Sequence, residues 1–253
     1  MTVSTILWAL LATICLAQLS TFCTTIYLHR AVTHRGLKLH PVVAFLMHLE
    51  LFLATGVVPR EWAAVHRKHH QFSDQEGDPH SPYIEGLWKV LFFNYVLYKK
   101  ETGNPETIRK YTPNWTNDLL DHIPYQGKVG PIVGATLLAL AYVSFTSLGF
   151  WMAAVVGVAS WYLHAGIYIF LNSMINSVCH KIGYRNFDNK ATNLQWVAWI
   201  TAGEGLHNNH HEFPTSARMK AFDWEFDPAW FVIRLLEKLG LAEYQESSLA
   251  RAA

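Results

Sequence analysis

No Asp, Glu, Lys or Arg interrupts residues 1–28, and none interrupts residues 131–179. A helix needs about 20 apolar residues to cross a bilayer, where its backbone groups must be satisfied internally. The first run has room for one crossing and the second for two. We place spans near residues 7–28, 131–148 and 150–172, with a tight turn at 147–149. Residues 39–59 are also long and apolar enough to span, carrying only Glu50 with His40 and His48. A crossing there would put Arg30 and Arg60 on opposite sides of the membrane.

Charge sharpens this picture. Only 15% of residues are charged, against about 25% in a soluble domain. All 20 Lys and Arg lie between residues 29 and 130 or after 180. Positive loops stay cytoplasmic, so these two segments are expected to form one cytoplasmic cap, with the N-terminus on the other side. A net charge of +1 gives a nucleic-acid partner no electrostatic footprint. No basic stretch precedes the first apolar run, so a secretory signal is not expected. Cys15, Cys23 and Cys179 sit in or beside the proposed spans and form neither a disulfide framework nor a zinc knuckle.

The 14 histidines are not scattered. "HRKHH" places His66, His69 and His70 at H-x-x-H-H spacing, and "HNNHH" repeats it with His207, His210 and His211. Positions i, i+3 and i+4 share one helix face. Asn176 and His180 are four apart, at the end of the last span. His29 and His34 are five apart and diverge on an ideal helix, converging only if that helix ends or overwinds between them. These nine imidazoles cluster at the cap, and neutral imidazole is the commonest metal ligand. Nine exceed one coordination shell, so two metals with four or five ligands each are expected. The count and the absence of H-E-x-x-H argue against zinc; ligand type favours iron but leaves manganese and copper open. His40, His48, His80, His122 and His164 are read as ordinary side chains.

The ordered set "HRAVTHR", "EWAAVHRKHH", "GDPH", "NSVCH" and "GEGLHNNHHEFP" resembles the integral-membrane fatty-acyl desaturases, most closely the stearoyl-CoA Δ9 type, over residues 24–214. The resemblance implies that His29, His34, His66, His69, His70, His180, His207, His210 and His211 hold two iron ions, with Asn176 approaching one through water. It implies that Trp62 lines the substrate tunnel and that residues 39–59 dip into the membrane. The expected architecture is one all-α membrane domain over residues 1–253, with about three transmembrane helices, a membrane-dipping helix and a cytoplasmic helical cap (29–130 and 180–253) around a di-iron centre. The animal pattern has two spans before the first box, where this chain has room for one. It also reads "WARDH" where this chain has "WAAVH": Ala64 and Val65 replace a pair that helps position the CoA thioester.

The expected reaction is O2-dependent insertion of a cis double bond, at Δ9, into an acyl chain carried on CoA, acyl carrier protein or lipid. No side chain is basic enough to take hydrogen from a methylene, so the hard step belongs to metal and oxygen. Carboxylates should orient the imidazoles: Asp74, Asp78, Asp188, Glu204 and Glu212 are near in sequence, and Glu204 and Asp78 are chosen. Helical spacing from His29 puts Thr25, Thr21 and Ala17 or Gln18 toward the closed end of the tunnel. Residues 233–240 are expected to form an amphipathic helix at the membrane interface. No haem-domain sequence is fused to the chain, so a separate donor is expected: a ferredoxin, rubredoxin or small cytochrome with its reductase. The expected location is a bacterial inner membrane with a cytoplasmic active site. A hydroxylase, acetylenase or decarboxylase on the same chain is the alternative, and a membrane metal-binding or transport protein a more distant one.

Overall fold

The computed structural model describes residues 3–244, and it is mostly helical. Helix α1 (Val3–Cys23) continues without a break into a π-helical segment, Thr24–Thr33. A short strand β1 (Leu37–Leu39) leads to α2 (Pro41–Ala54) and α3 (Pro59–Phe72). Then come α4 (Leu87–Thr102), α5 (Pro105–Tyr111), α6 (Gln126–Phe145) and α7 (Phe150–Ser177). Three short helices follow, α8 (Gln195–Ile200), α9 (His207–Glu212) and α10 (Pro228–Lys238), and strand β2 (Ala242–Tyr244) pairs antiparallel with β1, Leu37 opposite Tyr244.

Among the described residues, three helices are long and apolar enough to cross a membrane: Val3–Thr33, Gln126–Phe145 and Phe150–His180. Each differs at its ends from the span read off the sequence. The first and last run past the charge-free residues, because their final turns are buried in the cap and carry site residues. The middle one begins earlier, at Gln126, since Lys128 in its first turn can stay in water, and it ends at Phe145 where Thr146 turns extended.

Helix α2 has 14 residues, which at 1.5 Å each reach about 21 Å, short of an about 30 Å hydrocarbon layer. The chain then bends by 92° into α3. His34 before this pair and His66 within it approach to 3.0 Å, so the chain before α2 and the chain in α3 lie together, as a re-entrant loop or a broken span would bring them. Helix α6 seats α2 through a GxxxG pair: a Cβ on Gly130 or Gly134 would lie 2.0 Å from the carbonyl oxygens of Phe52 or Leu53. Such small residues allow close backbone approach where no hydrophobic drive exists between helices.

The C-terminal cap locks onto the π-helical segment. Ile26 packs with Leu37, Ala202, Ala217, Ala229 and Ile233. Beside them, Arg30 and Asp227, both essentially buried, form a two-bond ion pair at 2.9 Å. Asp227 also accepts from the Met219 amide and caps α10 through the Trp230 amide. Helix α10 starts earlier than the amphipathic segment expected over 233–240, because this cap sits at Asp227; its exposed stripe is Phe231, Leu235 and Leu239.

Candidate metal centre

On an ideal α-helix, five residues turn two side chains about 140° apart. The sequence therefore left His29 and His34 divergent unless the helix ended or overwound. The structure does the opposite and widens it. From Thr24 to Thr33 the bonding is i→i+5, closed by the His34 amide on the His29 carbonyl at 3.0 Å and by the Thr33 hydroxyl on the Leu28 carbonyl at 2.7 Å. One such turn brings the two rings onto one face, with centroids 4.8 Å apart. Single π-helical turns inside helices are frequent at functional sites.

The nine box histidines meet in two groups. His29, His34, His66, His70 and His210 form one; His69, His180, His207 and His211 form the other. Within each, the candidate ligand atoms all lie within 4.8 Å of one another. Both H-x-x-H-H helices serve both groups. On α3, the i and i+4 residues His66 and His70 join the group of five while His69 joins the group of four. On α9 the allegiance is reversed: His207 and His211 join the four and His210 joins the five. Helix phase explains this, since i and i+4 differ by about 40° and i+3 lies about 60° to the other side.

The contacts fit cations. In the group of five, Nε2 of His66 lies 2.9 Å from that of His29 and 3.0 Å from those of His34 and His70. His210 Nε2 closes the ring, 3.0 Å from that of His29 and 2.9 Å from that of His70. A ring nitrogen offers one proton or one lone pair, so hydrogen bonding cannot satisfy His66 against three partners, whereas one central ion can. Nitrogens held about 2.1 Å from an ion at right angles are about 3.0 Å apart, and at tetrahedral angles about 3.4 Å. The group of five therefore has the spacing of a site with more than four ligands. In the group of four, His211 Nε2 lies 3.3 Å from that of His69 and 3.1 Å from that of His207. His180 Nε2 is buried with no hydrogen-bond partner, which also suits an ion.

Carboxylates set the tautomers. His29 donates from Nδ1 to Glu204 at 2.8 Å, His69 to both oxygens of Asp78 at 3.0 Å, and His180 to Asp74 at 2.7 Å. Each pairing leaves the Nε2 lone pair facing its group. Burial alone would push these acids up, but the facing imidazole outweighs it and holds Asp74 and Asp78 below the usual carboxylate range. Burial, reinforced by neighbouring imidazoles, pushes His34, His66, His70, His207, His210 and His211 well below the ordinary value. Their neutral form is favoured, which is the form that can ligate a metal.

A cavity of about 520 Å³ runs alongside both groups. His29, His66 and His207 line it, with Trp62, Asn176, Ile175 and Glu204. Trp62 stacks on His66 with centroids 4.6 Å apart. The other proposed tunnel residues do not line it: Thr25 donates to Glu204, Thr21 donates to the Ala17 carbonyl, and these three are buried.

Sequence reasoning passed over several contributors. Asp74 was one acid among five candidates, and its partner His180 lies 106 positions away. His80, read as ordinary, is buried against His69 and lines the cavity. The residues inside each histidine box also act. Arg67 donates to the Val32, Thr33 and Tyr111 carbonyls, satisfying the end of the π-helical segment. Asn208 and Asn209 are fully buried behind α9 in a network with Asn186, Asn193 and Glu225.

Comparison with known proteins places this arrangement. The profile of the family "Fatty acid desaturase" matches residues 6–224. The chain is 38% identical over 232 residues to the Acyl-CoA 5-desaturase AL21 of Anemone leveillei, covering 87% of this chain and 66% of that protein. It is 31% identical over 223 residues to the Delta-9 acyl-lipid desaturase 2 of Arabidopsis thaliana, covering 86% and 68%. It is 33% identical over 226 residues to the sn-1 stearoyl-lipid 9-desaturase of Anabaena variabilis, covering 86% and 76%.

Proposed function

The chain belongs to the fatty acid desaturase family, and from that premise we propose that it introduces a cis double bond into a saturated acyl chain, using two iron ions and O2. The observation that carries this reading is that one cavity touches both histidine groups: His29 and His66 of the five, and His207 of the four. A chain lying in it would pass both metals. The nine histidines would hold the irons, with Asn176 approaching one of them through a water. Bound iron would supply, with O2, the oxidising power that no side chain has.

The protein's own part is placement. Glu204, Asp74 and Asp78 keep Nδ1 protonated and the Nε2 lone pairs turned inward. Trp62 and Val65 wall the cavity and keep the acyl chain's neighbouring carbons beside the metals, where fixed geometry replaces chance encounter. Two hydrogens leave the chain, and two electrons and two protons from outside complete the reduction of O2 to two waters. The electrons come from a separate ferredoxin, rubredoxin or small cytochrome. The acyl carrier is CoA, acyl carrier protein or a membrane lipid. We place the active site on the cytoplasmic side of a bacterial inner membrane, following the Lys and Arg distribution, and the double bond at Δ9.

Expression in a bacterium followed by mass spectrometry of its fatty acids tests this. A new cis-monoene is expected, lost on His207→Ala. A Δ5 monoene would replace the regiochemistry, and a hydroxylated product from iron-loaded protein would replace the reaction.

A further inference from the structure

The cavity lining on the two long helices stops short of the residues that helical spacing marks. Its lining on α7 is Tyr168, Ile169, Asn172, Ile175 and Asn176, and on the first helix only Thr24 and His29. Exposed Tyr95, Lys99, Tyr125 and Lys128 line its mouth. Along these two helices the lining residues furthest from the box histidines are Thr24 and Tyr168, both buried and hydrogen-bonded through their hydroxyls at 2.8 Å. About one turn further along the same two helices, Ser20 lies 3.0 Å from His164 Nε2 and donates to Glu50 of α2 at 2.5 Å. None of Ser20, Glu50 and His164 lines the cavity.

We propose that the Thr24–Tyr168 pair is the floor of the acyl cavity and sets how much chain fits beyond the metals, with the Ser20–Glu50–His164 network holding it shut. The proposal rests on the acyl-chain reading of the cavity. Its physical basis is the cost of opening the floor. A methyl terminus forced past the pair would break its hydrogen bond and leave two buried hydroxyls facing an apolar chain, which is unfavourable. Behind the pair lie the polar side chains of Ser20, Glu50 and His164, which offer an acyl chain no apolar surface. The π-helical turn explains why helical spacing points elsewhere. A four-residue step back from His29 reaches Thr25, but the five-residue step of the widened helix reaches Thr24.

The test uses purified protein in detergent and a graded series of saturated fatty acids, measured by displacement of a fluorescent acyl probe. The chain lengths of products formed in cells give a second readout. Tyr168→Leu should move the preferred length upward and Thr24→Leu downward. Each should change the ratio between neighbouring lengths by about tenfold, the discrimination that one methylene gives in an apolar pocket. Thr21→Ala, behind the floor, should leave the preference in place. If Tyr168→Leu does not accumulate, Tyr168→Phe keeps the ring and drops the bond, and should broaden the preference toward longer chains. Wild-type binding with no shift in these variants overturns the floor, as does an equal shift from Thr21→Ala. No binding of any length overturns the acyl-chain reading itself, and the floor with it.

Discussion

The two H-x-x-H-H helices carry the same spacing and are held in place by different means. Helix α3 has 14 residues and α9 only six. The longer helix brings its own backbone ladder, and its two intervening residues face outward: Lys68 pairs with Glu101 at 2.8 Å, and half-buried Arg67 reaches backbone carbonyls. The shorter helix is less than two turns long, below the length at which a helix sustains itself. Its intervening residues face inward. Asn209 donates to Glu225 and to the Met219 carbonyl, and accepts from Asn186 and Asn193. One motif rests on helix continuity and the other on a buried amide network, so equal histidine spacing does not mean equal robustness.

The largest expected effect breaks that comparison at α9. Asn209→Leu leaves Glu225, Asn186, Asn193 and the Met219 carbonyl short of partners, at about 1–3 kcal/mol for each buried group left unmatched. Because α9 feeds both groups, both metals should be lost together and the thermal transition should fall by several degrees. Retention of both metals at an unchanged transition would refute the support we assign to Asn209.

Next come the carboxylates, which should separate the two groups. Glu204→Gln should weaken the group of five, and Asp78→Asn or Asp74→Asn the group of four, each by about 10–100-fold in metal affinity. Metal titration of each variant checks this; equal weakening of both sites in every variant would mean the carboxylates act through the fold instead.

The smallest effects lie on α3. Arg67→Met should cost about 1–2 kcal/mol, from unsatisfied carbonyls at the end of the π-helical segment. Lys68→Ala, losing a partly exposed ion pair, should cost under about 1 kcal/mol. Thermal melts of the two variants rank them, and a Lys68→Ala loss as large as that of Asn209→Leu would erase the distinction between the helices.

What was legible in the sequence follows from the range of each signal. Spans are written in runs of uncharged residues, and the two boxes in local spacing, so the all-α architecture and the meeting of nine histidines could be read without coordinates. The His29–His34 pair could not be resolved, because a π-helical turn leaves no spacing signature that an α-helical reading detects. The same turn moved the cavity lining from Thr25 to Thr24. Asp74 and His180, and Arg30 and Asp227, join residues 106 and 197 positions apart. Asn208 and Asn209 stand between box histidines in sequence, yet their side chains join the buried network that holds the helix, through partners up to 23 positions away.

The central claim is that these nine histidines hold two irons in each chain. Elemental analysis of protein purified in detergent, set against protein concentration from amino-acid analysis, tests it most directly. The account predicts two irons per chain; one metal per chain, or zinc in place of iron, would contradict it.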